Sequence, residues 1–180
     1  EGEINMATIK RDGRITEIEV GCKKCRIVGY QSNGRKAIKR NVFKQGYITF
    51  ELEDGTEVKQ YMLIAPWNTY LFYKLIKAIK AEGFNIFNEC DAFDENEIIG
   101  KEVVIELENE VKDSGEYINV TNIYNVEEGE IIIAYDNKLK EKKYSEMEKN
   151  KEMSMEYIRS KANEVIPQQE ITSEEDLMNF

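Results

Sequence analysis

The 180-residue chain contains no histidine, so it lacks the commonest general base, the commonest metal ligand and the usual partner of a nucleophilic serine or cysteine. Two other groupings have spacings that chemistry could use. Cys22-Lys23-Lys24-Cys25 is spaced like a zinc knuckle or a redox pair, and the third cysteine is the distant Cys90. Zinc would need two further ligands, and a redox pair would need a thiolate held at a helix N-terminus, whereas this stretch reads as a strand. The second grouping is the carboxylate cluster Asp91, Asp94, Glu95 and Glu97. It lacks the glycine and terminal glutamate of a calcium loop and is expected to be a solvated loop entering a strand near Gly100. A carboxylate-dependent nuclease built on Asp91 and Asp94 is the weakest reading. Gly21, Gly29 and Gly34 are too widely spaced for a phosphate loop, and none opens a helix. The expectation is a protein that is not an enzyme, with no catalytic residues, no metal and no cofactor.

Charge and aromatic rings point elsewhere. The chain carries a net charge of -10, yet between Lys10 and Gly46 eleven basic residues face three acidic ones, leaving +8 there and -18 on the remainder. Such polarisation is the footprint of a surface that binds a phosphate backbone. Strand alternation puts Lys24, Arg26, Val28 and Tyr30 on one face and Cys25 and Ile27 on the other. A turn at Asn33-Gly34 then leads into a mobile basic loop with Arg35, Lys36, Lys39 and Arg40, flanked by Phe43 and Tyr47. Cations along the backbone and rings that stack on bases, at roughly 1–3 kcal/mol each, hold single-stranded nucleic acid in this way. The plainer alternative is a solvated loop whose rings belong to the core. Trp67, the only tryptophan, is expected to pack over a helix start, with a nucleic-acid contact as the other reading.

The elements that must position these residues are mostly short strands. Ile15–Val20, Cys25–Tyr30, Gly46–Leu52, Glu57–Ile64, Glu102–Leu107, Tyr117–Tyr124 and Glu130–Tyr135 all read as β. Gly46–Leu52 alternates strictly, with Ile48, Phe50 and Leu52 on the buried side, and Asp54-Gly55 signals a hairpin into the next strand. One amphipathic helix interrupts the series. Leu71, Phe72, Leu75, Ile76 and Ile79 form its stripe, with Asn68 as N-cap and Gly83 after its end. Strands, one helix, then more strands is the order of an OB-type β-barrel, and a split α+β sandwich competes with it. Residues 6–136 form this domain. Residues 137–167, rich in Lys, Glu and Met, read as a flexible linker or marginal helix, and Pro167 releases an acidic tail at 168–180.

With 41% hydrophobic residues the chain suits one domain and an appendage. It has no apolar run long enough to span a membrane, no signal-peptide pattern and an odd number of cysteines, so a cytoplasmic, reducing location is expected. Residues 1–5 are expected to be a non-native leader. Glu-Gly-Glu can be encoded by GAAGGAGAA, a purine-rich ribosome-binding sequence, which would make Met6 the natural start.

Two further stretches carry a family likeness. Phe93–Val126 has an acidic lead-in, a hydrophobic pair, Gly-Lys, a strand, a short turn and a closing Tyr-x-x-Val strand, and Leu63–Phe84 passes from strand through Trp-Asn into a helix closed by glycine. Together with the opening strand, this region (about Ile15 to Val126) resembles the small phage-encoded single-stranded-DNA-binding proteins long catalogued as a phage domain of unknown function. The resemblance implies an OB-type fold, single-stranded DNA as partner, and a role in phage replication or recombination inside a bacterial host. The basic segment 33–44 and the CxxC pair depart from the family pattern.

The ending Ser173-Glu174-Glu175-Asp176-Leu177-Met178-Asn179-Phe180 is similar to the acidic, phenylalanine-terminated tails with which bacterial single-stranded-DNA-binding proteins recruit replication and repair proteins. On that likeness Glu174, Glu175, Asp176, Leu177 and Phe180 bind partner proteins. A solubilising end is the plain alternative.

The sequence is therefore expected to bind single-stranded DNA without sequence preference. The expected site residues are Lys24, Arg26, Tyr30, Arg35, Lys36, Lys39, Arg40, Phe43 and Tyr47, and homo-oligomerisation is left open. The competing reading is a phage protein that inhibits a host protein, its acidic body mimicking DNA.

Overall fold

A computed structural model describes residues 6–11, 14–80 and 82–165, with side chains over 18–80 and 82–164. The leader at 1–5, the tail residues Glu174, Glu175, Asp176, Leu177 and Phe180, and Pro167 lie outside them. The chain divides into two compact units, Glu1–Tyr135 and Asp136–Phe180.

The first unit opens with β1 (Met6–Arg11) and β2 (Arg14–Glu19), paired as an antiparallel hairpin. Five further strands follow: β3 (Gly21–Ile38), β4 (Asn41–Leu52), β5 (Glu57–Leu63), β6 (Glu102–Lys112) and β7 (Gly115–Tyr124). They form one antiparallel sheet in the order β5-β4-β3-β6-β7. Among the described residues no backbone ladder joins the edge strands β5 and β7. They meet through a side chain instead, since Gln60 Oε1 on β5 accepts the Val120 N–H of β7 at 2.9 Å.

Alternation dictates the buried face. Ile48, Phe50 and Leu52 of β4 meet Val58 and Met62 of β5, Ile27 of β3, Val103, Ile105 and Leu107 of β6, and Val120 and Ile123 of β7. The helix α1 (Leu71–Lys80) adds Phe72, Leu75 and Ile76 to this core. It begins three residues after Asn68, the expected N-cap. Gly83 takes φ 81° in the turn beyond its end. The stretch expected to be a solvated acidic loop is instead structured. Asn85 caps the short helix α2 (Ile86–Asp91), and Asp94 caps a single 3-10 turn at Glu95–Glu97, each through its side-chain oxygen. Between them Phe93 anchors the segment edge-on to Phe72.

Two features of β3 correct the sequence reading. A bulge between Ile27 and Gly29 shifts the register against β4, and each such shift of one residue exchanges the two faces of a strand. Tyr30 therefore pairs with Ile48 on the core side, opposite in sense to Arg26. The second feature is at Asn33-Gly34, which is a bulge with Gly34 at φ 78° rather than the turn. The strands continue as a long hairpin whose two-residue turn is Lys39-Arg40, so the expected mobile loop is a β-ribbon. Lys39 takes φ 56° there, a conformation that such turns usually assign to glycine.

The last expected strand, Glu130–Tyr135, is also overturned. α3 runs from Val126 to Val165 as one helix, so the segment read as linker or marginal helix is helical to its described end. Asn125 Oδ1 accepts the Glu128 N–H at 2.8 Å, and Glu127 and Glu128 occupy the first turn, where carboxylates complement the helix dipole. Gly129 has no side chain to keep this first turn off Val104. The residues from 137 to 164 are exposed. Among the described residues no helix is long and apolar enough to cross a membrane.

Gly46 is buried opposite Ser32, and a methyl group there would stand 2.5 Å from the Gln31 carbonyl oxygen and 2.6 Å from the Tyr30 ring. The backbone oxygen has nowhere to go. Gly46→Ala should lower the unfolding free energy by about 2 kcal/mol, measured as an earlier midpoint in urea.

Candidate nucleic-acid interface

From Val20 to Phe50 the sequence contains no acidic residue. The β3–β4 hairpin therefore carries only positive charge until Glu51 near the end of β4, and its cations fall into two sets: those at the start of β3, like Lys80 of α1, are paired with carboxylates, whereas those towards the tip are not. Lys23 reaches Glu19 at 3.3 Å, Lys24 reaches Glu130 at 3.1 Å, Arg26 reaches Glu102 at 3.6 Å and Lys80 reaches Glu89 at 2.6 Å. Among the described residues, Arg35, Lys36, Lys39, Arg40 and Lys44 form no ion pair. Arg35 sits directly opposite Lys44 across the two strands, an arrangement in which like charges repel. An anion between them would relieve that repulsion.

A row of rings adjoins these cations. Tyr47 and Tyr61 are cross-strand partners on the outer face of β4 and β5, with ring centroids 5.9 Å apart. Lys59 Nζ lies 5.2 Å from the Tyr47 centroid and donates to Gln31 Oε1 at 2.6 Å. The Tyr61 hydroxyl donates to Gln45 Oε1 at 2.6 Å, and Gln45 Nε2 donates to the Asn33 carbonyl at 3.0 Å. The second run consists of Tyr70, Trp67 and Phe43, with centroids 5.3 Å and 5.0 Å apart in that order. Burial, together with the nearby Tyr47 and Tyr70, pushes the Tyr61 phenol up from its ordinary value.

The nine residues expected in the site separate into four groups. Lys24 and Arg26 project from the outer face but are engaged by Glu130 and Glu102, and the bond to Glu130 raises the Lys24 pKa. Tyr30 points inward, its hydroxyl donating to the Gln45 carbonyl at 3.3 Å and its ring edge-on to Phe93 at 5.2 Å. Burial raises its pKa. Arg35, Lys36, Lys39 and Arg40 line the arms and tip of the hairpin. Phe43 and Tyr47 belong to the two runs of rings. Sequence reasoning missed Lys44, Lys59, Tyr61 and Tyr70. The alternation of Glu57–Leu63, set in register by the Asp54-Gly55 turn, held the signal for Lys59 and Tyr61.

Beside Phe43 the hairpin and α2 enclose a cleft of about 480 Å³, lined among others by Arg35, Lys44, Trp67, Phe87, Cys90 and Asp91. Lys44 also borders a neighbouring cleft of about 360 Å³ walled by Tyr30, Phe93, Asp94 and Glu95. No family model and no curated protein sequence matches this chain.

The CxxC pair is split by strand geometry. Cys25 turns into the core, its thiol 3.5 Å from the Val103 carbonyl, and burial pushes its pKa up to about 12. A thiol so held stays protonated at neutral pH and is a poor nucleophile or metal ligand. Among the described residues no three Cys, Asp or Glu side chains gather as a metal would require. Cys90 is raised to about 11 by burial and by the neighbouring Asp91 and Glu89, and Tyr124 to about 12 by burial and its bond to Glu106. The ordinary values are 9.0 for the thiols and 10.0 for the phenol, so above pH 9 the unfolded chain loses these protons before the folded one. Stability should be constant with respect to these groups below pH 9 and fall as pH rises towards 12. Thermal melts across that range, with Cys25→Ala flattening the decline, would check it.

Proposed function

We propose that this protein binds single-stranded DNA without sequence preference, along the outer face of β4 and β5 and the arms of the β3–β4 hairpin. One observation carries the reading: five cations that form no ion pair among the described residues, Arg35, Lys36, Lys39, Arg40 and Lys44, are gathered on one β-hairpin that also carries the half-buried rings of Phe43 and Tyr47, with the exposed Trp67 packed on Phe43. Phosphates would meet Arg35, Lys36, Lys39, Arg40 and Lys44, while unstacked bases would lie on Tyr47 and Tyr61 and on Trp67 and Phe43. Duplex DNA presents phosphates but no free base faces, so it can use only the first set.

The fold assignment that accompanies this reading is OB-type. The sheet order, with α1 inserted between β5 and β6 and the Gln60–Val120 bond between the two edges, supports it. The resemblance of residues 15–126 to phage single-stranded-DNA-binding proteins suggests a setting: phage replication or recombination in the cytoplasm of a bacterial host. In that setting Glu174, Glu175, Asp176, Leu177 and Phe180 recruit replication or recombination proteins to the bound strand. The carboxylates steer the tail to basic pockets and Phe180 anchors it.

The test is fluorescence anisotropy of labelled oligo-dT and of a duplex of equal length at 50 and 200 mM salt. With five phosphates neutralised, single-strand affinity should fall about 100-fold over that range, from a slope near -0.7 per phosphate. Reversing the charge of Arg35, Lys36, Lys39 and Arg40 together should remove most of that salt dependence. Absence of binding to any oligonucleotide would transfer support to the inhibitor of a host protein.

A further inference from the structure

The cleft between the hairpin and α2 is more selective than a stacking surface needs to be. Its hairpin wall is cationic, with Arg35 and Lys44, and its α2 wall carries Asp91, with Asp94 and Glu95 bordering the adjoining cleft. A strand entering it must keep its phosphates on the hairpin side, which leaves the base to face α2. Phe87, Cys90 and Asp91 stand at i, i+3 and i+4 and so share one face of that helix. Phe87 is 66% exposed, while its neighbours Ile86 and Cys90 pack against the core. Packing explains those two residues and leaves an apolar ring at the mouth of the cleft. About 480 Å³ is within the range of small-molecule sites and accommodates a nucleotide.

We propose that this cleft takes one unstacked nucleobase of the bound strand, held among Phe43, Trp67 and Phe87, and favours bases bearing an exocyclic amino group. The inference rests on the single-stranded-DNA reading above. Cytosine would offer its N4 amino group to the Asp91 carboxylate, whereas thymine puts a carbonyl oxygen in the same place, where two acceptors repel. The protein therefore binds any sequence but grips C-containing strands more tightly than T-only ones.

Trp67 is the sole tryptophan, so its fluorescence reports this cleft directly. The experiment titrates the full-length protein with oligo-dC and oligo-dT of equal length, reading Trp67 emission and the anisotropy of a terminal label in parallel. The expected result is altered Trp67 emission with oligo-dC and an affinity roughly fivefold above that for oligo-dT. Asp91→Asn should bring the two affinities together, and Phe87→Ala should weaken oligo-dC more than oligo-dT. Both residues are exposed, and circular dichroism checks that the variants fold. Equal affinities with unchanged Trp67 emission, while anisotropy reports binding, would overturn the base pocket and leave the broader function standing. Failure of both oligonucleotides to bind would overturn both.

Discussion

The single extra residue at Val28 governs where β3 points from Gly29 to the second bulge at Asn33-Gly34. Up to Ile27 the strand alternates as composition suggests, with Arg26 outward and Cys25 and Ile27 in the core. Past the bulge the sense reverses and Tyr30 turns inward. Its ring can lie there only because Gly46, diagonally placed on β4 opposite Ser32, has no side chain. The same ring receives Phe93 edge-on, and Phe93 in turn meets Phe72 of α1. That chain of contacts fixes the α2 segment beside the base of the hairpin, and the cleft between them exists because it is fixed there.

Net charge is a poor guide to what such a surface attracts. At physiological ionic strength the Debye length is about 8 Å, so a phosphate approaching the hairpin responds to the charges nearest it. Around Lys24, Arg26 and Lys80 those are ion pairs, partly cancelled at close range. Around Arg35 and Lys44 they are two cations facing each other across the ribbon. The repulsion is a standing cost to the folded hairpin, and it diminishes when an anion is present. The excess of acid over the rest of the chain does not cancel it; the acid keeps other polyanion contacts weak and so sharpens the position of the one that remains.

What the sequence disclosed followed from period and punctuation. The strict alternation of Gly46–Leu52, the Asp54-Gly55 turn and the 3.6-residue stripe of Leu71–Ile79 each admit one arrangement, and the structure has it. The errors came where two local signals agreed with two different structures. Asn33-Gly34 suits a turn or a bulge, because both use a glycine with positive φ. Ile131, Ile132 and Ile133 suit a strand as well as a helix, and the cap at Asn125 decides. Tyr30 was misplaced because a bulge changes no residue type. Tyr61 became visible only once the β4–β5 register paired it with Tyr47.

The division of labour between cations and rings also determines how affinity should partition. Counterion release weakens as salt rises, whereas stacking on Tyr47, Tyr61, Trp67 and Phe43 is largely indifferent to it. Duplex DNA, whose bases are already stacked on one another, can engage only the cationic part, so its hold on the hairpin should vanish first. The affinity that persists at high salt then belongs to the rings alone, and it distinguishes a surface built for single strands from one that is merely basic.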